Sequence, residues 1–259
     1  MAARLLVEER RRRILDLLAT QERVTVSELT DRFRVSAVTI RGDLDVMADA
    51  GHLVRAHGGG LARLGPQHDI PLMVKETLHR AEKQRIGRAA AALVREGETV
   101  ILDSGTTTAE IARHLKGRRP GRFTVITNGL NIAAELGDEP HVRVIVVGGI
   151  LRHTSHSLVG PHAEQTLSGL RADRLFLGVD GFDPDGGMTT PDVLEAQLNA
   201  LMIKVSRETT VVADASKFGK RSLSVIGAVE SAHRVITDRS ADPAMLRTLR
   251  ERDVEVQLV

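Results

Sequence analysis

Apolar residues in the first sixty positions recur at the spacing of amphipathic helices. One helix is predicted to follow the arginine run near the N-terminus. A second begins with Ser27 as its N-cap, and a third begins with Ser36 as its N-cap. In the third helix Ile40, Leu44 and Met47 form one stripe at i, i+4, i+7, which predicts a buried face.

Short β-prone stretches complete this N-terminal segment. Val24–Val26 precedes the second helix, and Leu53–His57 followed by three glycines predicts a hairpin. Helix, short helix, tight turn, helix and hairpin is the order of a winged helix-turn-helix, predicted here over residues 1–60 with the helix-turn-helix at about 24–43. The third helix would then enter the major groove of double-stranded DNA. The candidate DNA-binding residues are Arg13, Ser36, Ala37, Thr39, Arg41, Gly42, Arg55 and His57.

The pattern changes twice after the hairpin. Residues 61–79 contain Gly-Pro and a further proline and lack a long apolar period, which predicts a linker. From residue 80 to residue 259, apolar strands alternate with helices, which is typical of a mostly parallel α/β sheet covered on both faces. The predicted strands are Thr99–Leu102, Phe123–Thr127, Val142–Val147, Arg174–Val179, Thr210–Ala213, Arg234–Ile236 and Val254–Leu258. The predicted helices lie near 80–94, 107–116, 129–136, 161–169, 191–207 and 242–251.

Composition limits the classes of protein without naming one. The chain has 259 residues and no cysteine, which excludes disulfides, thiolate zinc sites and cysteine nucleophiles. With no apolar run of about 18 residues and no secretory h-region, we expect a cytoplasmic protein. The net charge of +2 does not by itself predict a nucleic-acid partner. DNA binding is predicted instead from the positions of Arg10–Arg13, Arg41 and Arg55 in the sequence. We also expect its affinity to depend on avidity in a homo-oligomer, a dimer or tetramer.

Polar or glycine-rich turns follow four of the predicted strands, and ligands bind at the carboxyl ends of strands in open α/β sheets. Taken alone, Asp103–Thr108 could be an ordinary capped turn. It could also hold a phosphate near a helix N-terminus. Together the turns predict a site for a sugar phosphate, with Asp and Asn binding hydroxyls. The candidate effector-binding residues are Asp103, Ser104, Gly105, Thr106, Thr107, Thr108, Thr127, Asn128, Gly148, Gly149, Arg152, Asp180, Gly181, Glu195 and Lys217.

Three charged members of this set have alternative roles. Glu195 could be a general base or hydroxyl acceptor, or a first-turn acid favoured by the helix dipole. Lys217 could counter a ligand phosphate or be a solvated loop lysine, and Arg152 is a further possible anion contact. Neither a metal site nor a cofactor is predicted. His153 and His156 are closely spaced and have no neighbouring carboxylate.

Many segments, in order along nearly the whole chain, resemble the DeoR family of bacterial transcriptional regulators. They are VTVSELTDRFRVSAVTIRGD at 24–43, RAHGG at 55–59, EKQRIGRAAA at 82–91, ILDSGTTT at 101–108, VITNGLNIA at 125–133, VVGGILR at 146–152, LFLGVDGF at 175–182, DASKFG at 214–219 and VITD at 235–238. Within the family, residues 156–167 and 175–196 are most similar to regulators of N-acetylgalactosamine and related amino-sugar use.

The resemblance implies a winged helix joined to a sugar-phosphate-sensing domain related in fold to ribose-5-phosphate isomerase and CoA transferases. It also implies a repressor that leaves its operator when a phosphorylated sugar binds. One position departs from the family. Gly42 stands where the recognition helix usually has arginine. This implies a different operator base or weaker DNA binding.

Two rival functions remain to be weighed. A sugar-phosphate isomerase with an added DNA-binding module would use Glu195 as its base, but the sequence near Asp180 lacks a lysine. A constitutive DNA-packing protein would be more basic and would not need the turns at the strand ends. A ligand-responsive regulator, not an enzyme, is therefore the leading hypothesis.

Overall fold

The computed structural model describes residues 7–21, 23–49, 53–56, 58–62, 71–116 and 121–259. The chain divides into two compact units, Met1–Gly65 and Pro66–Val259. No helix among the described residues is both long enough and apolar enough to cross a membrane.

The N-terminal unit consists of three helices and a small antiparallel sheet. Its sheet has the order β1-β3-β2 and forms the wing behind the helices. The elements are α1 (Val7–Gln21), β1 (Arg23–Thr25), α2 (Val26–Phe33), α3 (Ala37–Asp49), β2 (Leu53–Ala56) and β3 (Gly59–Ala62).

A single apolar core holds these elements together. The predicted stripe of α3 is confirmed, because Ile40, Leu44 and Met47 are all buried. They pack with Ile14 of α1 and Leu29 of α2 in one cluster. The predicted hairpin is also confirmed as β2 and β3, and its glycine-rich second strand pairs with β1 as well. The N-terminal fold is therefore a winged helix-turn-helix.

The prediction that Ser27 caps the second helix is wrong. The N-cap is Thr25, whose hydroxyl accepts a hydrogen bond from the Glu28 amide at 3.2 Å. The Glu28 carboxylate in turn accepts from the Thr25 amide, so the two residues form a capping box. Ser36 does cap α3 as predicted, because its hydroxyl accepts from the Thr39 amide at 3.1 Å. The predicted C-terminal glycine of α3, Gly51, lies outside the described residues.

The second unit is an α/β domain built on a parallel sheet. Its helices are α4 (Leu72–Lys75), α5 (Arg80–Ala91), α6 (Thr106–Lys116), α7 (Leu130–Leu136), α8 (Pro161–Ser168), α9 (Val193–Val205) and α10 (Pro243–Glu251). Its strands are β4 (Thr99–Leu102), β5 (Phe123–Thr127), β6 (Val142–Val146), β7 (Ile150–Arg152), β8 (Ser157–Val159), β9 (Ala172–Leu177), β10 (Gly181–Asp183), β11 (Gly187–Thr190), β12 (Ser206–Val212), β13 (Ser224–Gly227), β14 (Arg234–Thr237) and β15 (Glu255–Leu258).

Seven of these strands form one sheet in the order β15-β14-β12-β9-β4-β5-β6, and every neighbouring pair is parallel. They are the seven strands predicted from the sequence, with shifts of a few residues at some ends. Apolar clusters fill both faces of the sheet, as strands covered on two sides require. The predicted fold class is confirmed.

Two features of this unit were missed. Short antiparallel pairings, β7 with β8 and β11 with β10 and β13, extend from the main sheet. The segment predicted as a linker contains α4, which belongs to the second unit. The amide of Leu72 in α4 donates to the carbonyl of Thr154, in the turn between β7 and β8, at 2.7 Å.

Candidate functional site

The exposed face of α3 carries most of the predicted DNA-binding residues. Ser36, Thr39, Arg41 and Gly42 are exposed, and Ala37 is half-buried. This face lies opposite the buried stripe. A Cβ added at Gly42 would meet no atom within 4 Å, so a side chain can begin there without a clash. His57, another predicted contact, lies outside the described residues.

Asp43 of α3 lies beneath this face and holds the helix to α1. It is buried, and its Oδ2 accepts from Nε of Arg10 at 2.5 Å. Its Oδ1 accepts from Nε of Arg11 at 3.1 Å. Two members of the arginine run predicted to contact phosphate are therefore internal ion-pair partners. Sequence inspection missed this role, because Asp43 is more than thirty positions away.

Two more of the predicted cations of this unit, Arg55 and Arg13, are also paired. Arg55 of the wing contacts Asp45 of α3 at 2.6 Å and donates to the Gly59 carbonyl. Arg13 contacts Glu9 one turn earlier at 2.7 Å, with both side chains about half exposed. Surface pairs of this kind contribute little and can exchange for a phosphate contact. Arg41 has no such partner among the described residues.

Replacing Gly42 with arginine is expected to tighten DNA binding and to steepen its salt dependence by about one unit of log–log slope, since one more phosphate contact releases about one more counterion. Gly42→Ala is the matched control. It stabilises the helix by about 1 kcal/mol but adds no charge. Gel shifts of all three proteins across a salt series measure both effects. An identical slope for Arg and Ala would show that position 42 does not face the phosphates.

The carboxyl ends of the sheet strands meet at one edge of the second unit, and their turns touch one another. The Cα of Ser104, after β4, lies 3.0 Å from the position that a Cβ on Gly129, after β5, would occupy. The carbonyl of Asn128 accepts from the Leu158 amide in β8 at 2.7 Å, so the β7–β8 hairpin lies against the β5 turn. The predicted set is thus assembled from several turns.

The Asp103–Thr108 turn is tightly organised by its own hydrogen bonds. The hydroxyl of Thr108 donates to the Asp103 carbonyl at 2.9 Å and accepts from the Gly105 amide at 2.8 Å. Thr106, Thr107 and Thr108 are all buried at the start of α6. The Gly105 amide and the Thr108 hydroxyl, both expected to bind a ligand, thus shape the turn in this structure.

Asp103 carries a buried carboxyl group that contacts no cationic side chain in the described part of the chain. Its Oδ2 accepts from the Gly178 amide at 3.0 Å, and its Oδ1 has no hydrogen-bond partner among the described residues. Burial raises the pKa of Asp103 to about 8, and the nearby carboxylates of Glu195 and Asp180 act in the same direction. At neutral pH the group is therefore mostly protonated and can donate as well as accept a hydrogen bond.

Asp180, after β9, is surrounded by lysines. Its carboxylate contacts Nζ of Lys75 at 2.9 Å and Nζ of Lys217 at 3.1 Å. Burial alone would raise the pKa of Asp180, but the two ammonium groups outweigh it and hold the pKa well below its usual range. Lys217 is therefore neither a solvated loop lysine nor free in this structure.

Lys83 of α5 adds a third ammonium group to this cluster. It is buried, and its Nζ donates to the Lys75 carbonyl at 2.5 Å. Burial lowers the pKa of Lys83 to about 8. The carboxylate of Asp214 opposes that shift, and Lys217 and Lys75 add to it. We call Lys75, Lys83, Lys217 and Asp180 the lysine cluster. At pH 7 it holds three cationic side chains around one carboxylate.

The sequence near Asp180 lacks a lysine, but the structure places lysines beside its carboxylate. The fold supplies Lys75 from the predicted linker and Lys217 from the turn after β12. Neither lies near Asp180 in the sequence. Lys217 was predicted because it follows a strand, and its segment 214–219 also resembles the family. Lys83 lies in the quoted segment 82–91, but neither it nor Lys75 was predicted as a site residue.

A second ion-paired group lies between the β7–β8 hairpin and the start of α9. Arg152 contacts the carboxylates of Glu195 and of Asp192, the N-cap of α9, the latter at 3.2 Å. It also donates to the Ser155 hydroxyl at 2.8 Å. Glu195, the base expected for an isomerase, is thus held by a guanidinium group in this structure.

The remaining predicted residues line the same edge in backbone roles. The Thr127 hydroxyl accepts from the Gly129 amide at 3.0 Å, and Gly181 begins β10. Gly148 and Gly149 have positive φ angles of 73° and 115°. A Cβ at Gly149 would lie 2.6 Å from the Val159 carbonyl oxygen, so this turn requires glycine. These glycines set the path of the hairpin over the site.

Comparison with known proteins matches both units. Residues 10–63 match the family model of the DeoR-like helix-turn-helix domain, and residues 78–239 match that of the DeoR C terminal sensor domain. The chain belongs to the DeoR family. The family predicted from the sequence is therefore confirmed.

Relatives of this DeoR-family chain match along almost its full length. A putative aga operon transcriptional repressor of Escherichia coli O157:H7 is 40% identical over 253 residues, covering 97% of this chain and 93% of the relative. The glycerol-3-phosphate regulon repressor of Escherichia coli K12 is 30% identical over 250 residues, covering 96% and 98%. Among solved structures, ribose 5-phosphate isomerase A from Methanocaldococcus jannaschii matches 52% of this chain and 53% of its own, at 16% identity and a TM-score of 0.40.

Proposed function

We propose that this DeoR-family chain represses a sugar or amino-sugar operon and leaves its operator when a phosphorylated sugar binds at the carboxyl edge of the parallel sheet. The observation that carries the proposal is the lysine cluster. Lys75 and Lys217 contact Asp180 at the edge where α/β sheets bind ligands, and Lys83 adjoins them through its hydrogen bond to the Lys75 carbonyl.

The charges of the cluster suit a phosphate. Three ammonium groups exceed the two neighbouring carboxylates, Asp180 and Asp214, and Asp103 is mostly neutral at pH 7. A phosphate dianion brought near Lys75 and Lys217 competes with Asp180 for the same donors. Charge-assisted hydrogen bonds of this kind are roughly twice as strong as neutral ones. Arg152 of the β7–β8 hairpin becomes a further hydrogen-bond donor to the phosphate when the ligand replaces Glu195 as its partner.

The position of Lys75 supplies a route from the effector to the DNA-binding unit. Lys75 belongs to α4, which lies near the N-terminal end of the second unit. Contacts among the described residues that hold α4 in the second unit include Leu72 to the Thr154 carbonyl, Lys75 to Asp180, and Lys83 to the Lys75 carbonyl. A ligand that replaces Asp180 as the partner of Lys75 changes how this segment is held. Differential affinity for the two arrangements then shifts the population of the DNA-binding form.

On the DNA side, the exposed face of α3 reads the major groove. Ser36, Ala37, Thr39 and Arg41 contact base edges and phosphates, with Arg13, Arg55 and His57 as further contacts. The N-terminal unit has few unpaired cations on this face. We therefore expect a homo-oligomer, a dimer or tetramer, to place recognition helices on two half-sites and to gain affinity from avidity.

The relatives support this function. One is named as a repressor of the aga operon and one as a repressor of the glycerol-3-phosphate regulon. The segments 156–167 and 175–196 resemble regulators of N-acetylgalactosamine use, which favours an amino-sugar phosphate as the effector.

Arg41→Ala is expected to weaken operator binding at least tenfold and to leave effector binding unchanged, because its side chain belongs to the N-terminal unit alone. Fluorescence anisotropy with DNA from upstream of the chain's own gene measures the first effect. Calorimetric titration with a panel of sugar phosphates measures the second. Arg32→Ala, on the exposed side of α2, is the matched control. Simultaneous loss of both activities would argue against separate sites.

The lysine cluster is also compatible with a second candidate function, a sugar-phosphate isomerase. Lysines around a partly buried carboxylate, with Glu195 and Asp103 nearby, are groups that a sugar-phosphate isomerase could use for proton transfer. A coupled assay with pentose and hexosamine phosphates distinguishes the two functions. Measurable turnover would favour the enzyme, and binding without turnover would favour the regulator.

A further inference from the structure

Several buried polar atoms near the turns after β4 and β5 lack hydrogen-bond partners among the described residues. They are Asp103 Oδ1, Ser104 Oγ, Asn128 Oδ1 and both terminal atoms of the Asn131 amide. Asp103, Ser104 and Asn128 are each at least 94% buried. Buried polar groups are nearly always paired, so a group of them at one place points to a missing partner.

These residues adjoin one another. The position of a Cβ on Gly129 lies 3.0 Å from the Cα of Ser104 and 2.9 Å from the Oδ1 of Asn131, which brings the two turns together. Asp103 precedes Ser104 and is tied through Gly178 to the turn that carries Asp180. Asp103, at one end of this group of atoms, is therefore close to Asp180 of the lysine cluster.

No cationic side chain among the described residues contacts the carboxyl group of Asp103. Glu195 reaches it from α9 and Asp180 from the turn after β9, but each of these carboxylates has its own cations, namely Arg152 for Glu195, and Lys75 and Lys217 for Asp180. The one hydrogen bond that the Asp103 carboxyl group accepts from a described residue comes from the Gly178 amide. Asp103 thus stays neutral at pH 7 and keeps a proton to donate.

We propose that Asp103, Ser104 and Asn131 bind the hydroxyl groups of the effector and so determine its polyol specificity, while the lysine cluster binds its phosphate. This inference rests on the proposed function and deepens it. A sugar hydroxyl both donates and accepts, which is the combination that a protonated carboxyl, a hydroxyl and an amide offer. A ligand that lacks these hydroxyls leaves the buried groups unpaired and is rejected.

The full chain is titrated calorimetrically at pH 7 and pH 9 with inorganic phosphate, glycerol 3-phosphate, fructose 6-phosphate and galactosamine 6-phosphate. Lys83 also titrates near pH 8 and weakens the binding of any phosphate above that pH. Inorganic phosphate has no carbon-bound hydroxyl, so its loss of affinity between pH 7 and pH 9 measures the effect of Lys83 alone. For the polyol phosphate that binds most tightly, we expect a further loss of about tenfold, because ionised Asp103 no longer donates.

Two variants separate this specific effect from a general one. Asp103→Asn keeps the size of the side chain and a hydrogen-bond donor. At pH 7 the variant should therefore bind the polyol phosphate with an affinity within a few fold of that of the wild type. It should lose the additional decrease in affinity between pH 7 and pH 9. Asn131→Ala should weaken the polyol phosphate at least tenfold and leave inorganic phosphate unchanged. Both variants are first compared with the wild type in thermal unfolding to establish that they fold.

Each other outcome overturns a different statement. If inorganic and polyol phosphates lose affinity equally with pH, or if Asp103→Asn keeps the wild-type pH dependence, Asp103 does not donate to the ligand. If Asn131→Ala weakens both ligands equally, the hydroxyl assignment is wrong. If the affinity for a sugar phosphate increases from pH 7 to pH 9, ionised Asp103 binds an ammonium group of the ligand instead of a hydroxyl group. If no compound binds the wild type, the proposed function itself fails.

Discussion

Replacing Asp43 with alanine is expected to lower the free energy of unfolding of the N-terminal unit by about 3–5 kcal/mol, because it leaves the buried guanidinium group of Arg10 without a partner. The same substitution frees Arg11, whose other carboxylate contact is exposed Glu8 at 3.6 Å. Since Asp43 ties α3 to α1, the loss should also abolish operator binding, although Asp43 itself faces away from DNA.

Urea unfolding of the full chain, combined with hydrogen exchange of peptides from α1 and α3, measures this loss in the N-terminal unit specifically. Asp31→Ala, at an exposed carboxylate on α2, is the matched control and should change stability by less than about 0.5 kcal/mol. Equal exchange in Asp43→Ala and the control would mean that the ion pair does not stabilise the unit.

Replacing Asp180 with asparagine is the second change with a large expected effect. It removes the carboxylate between Lys75 and Lys217 and should cost about 3 kcal/mol of stability, less than for a fully buried pair because these side chains are about one-fifth exposed. A phosphate can then take the vacated position without competition. Inorganic phosphate should therefore raise the melting temperature of the variant more than that of the wild type.

Differential scanning fluorimetry with increasing phosphate measures this rescue, with chloride at the same ionic strength as the reference. Asp138→Asn, at an exposed carboxylate in the turn before β6, is the matched control and should behave as the wild type does. A variant that phosphate stabilises no more than the wild type would show that Asp180 does not compete with an anion for the lysines.

The regular elements of both units were predictable because periodicity reports burial. The stripe of α3 and the seven strands of the large sheet have the apolar spacing that their environments require. Short antiparallel strands such as β7 and β10 were missed, since three-residue segments carry too little pattern. Thr25 was missed as an N-cap because Ser27 also has a hydroxyl, and only the backbone geometry distinguishes the two.

The candidate site was easiest to predict where its residues directly follow a strand. Asp103 and Asp180 were found in this way, because carboxyl ends of parallel strands share an edge. Lys75 was hidden in a segment whose prolines predict a linker, and its partner lies 105 positions away. The Arg10 to Asp43 pair was hidden in the same way by distance along the chain. Pairing between distant charged residues leaves no periodic signal in one sequence.

The central claim is that the lysine cluster binds the phosphate of a sugar effector. Thermal unfolding of the full chain with a panel of sugar phosphates tests it most directly, with wild type, Lys217→Met and Lys204→Met compared side by side. Lys204 is exposed on α9 and serves as the matched control. We expect at least one sugar phosphate to raise the melting temperature of the wild type and of Lys204→Met but not of Lys217→Met. Equal shifts in all three proteins, or no shift in any of them, would contradict it.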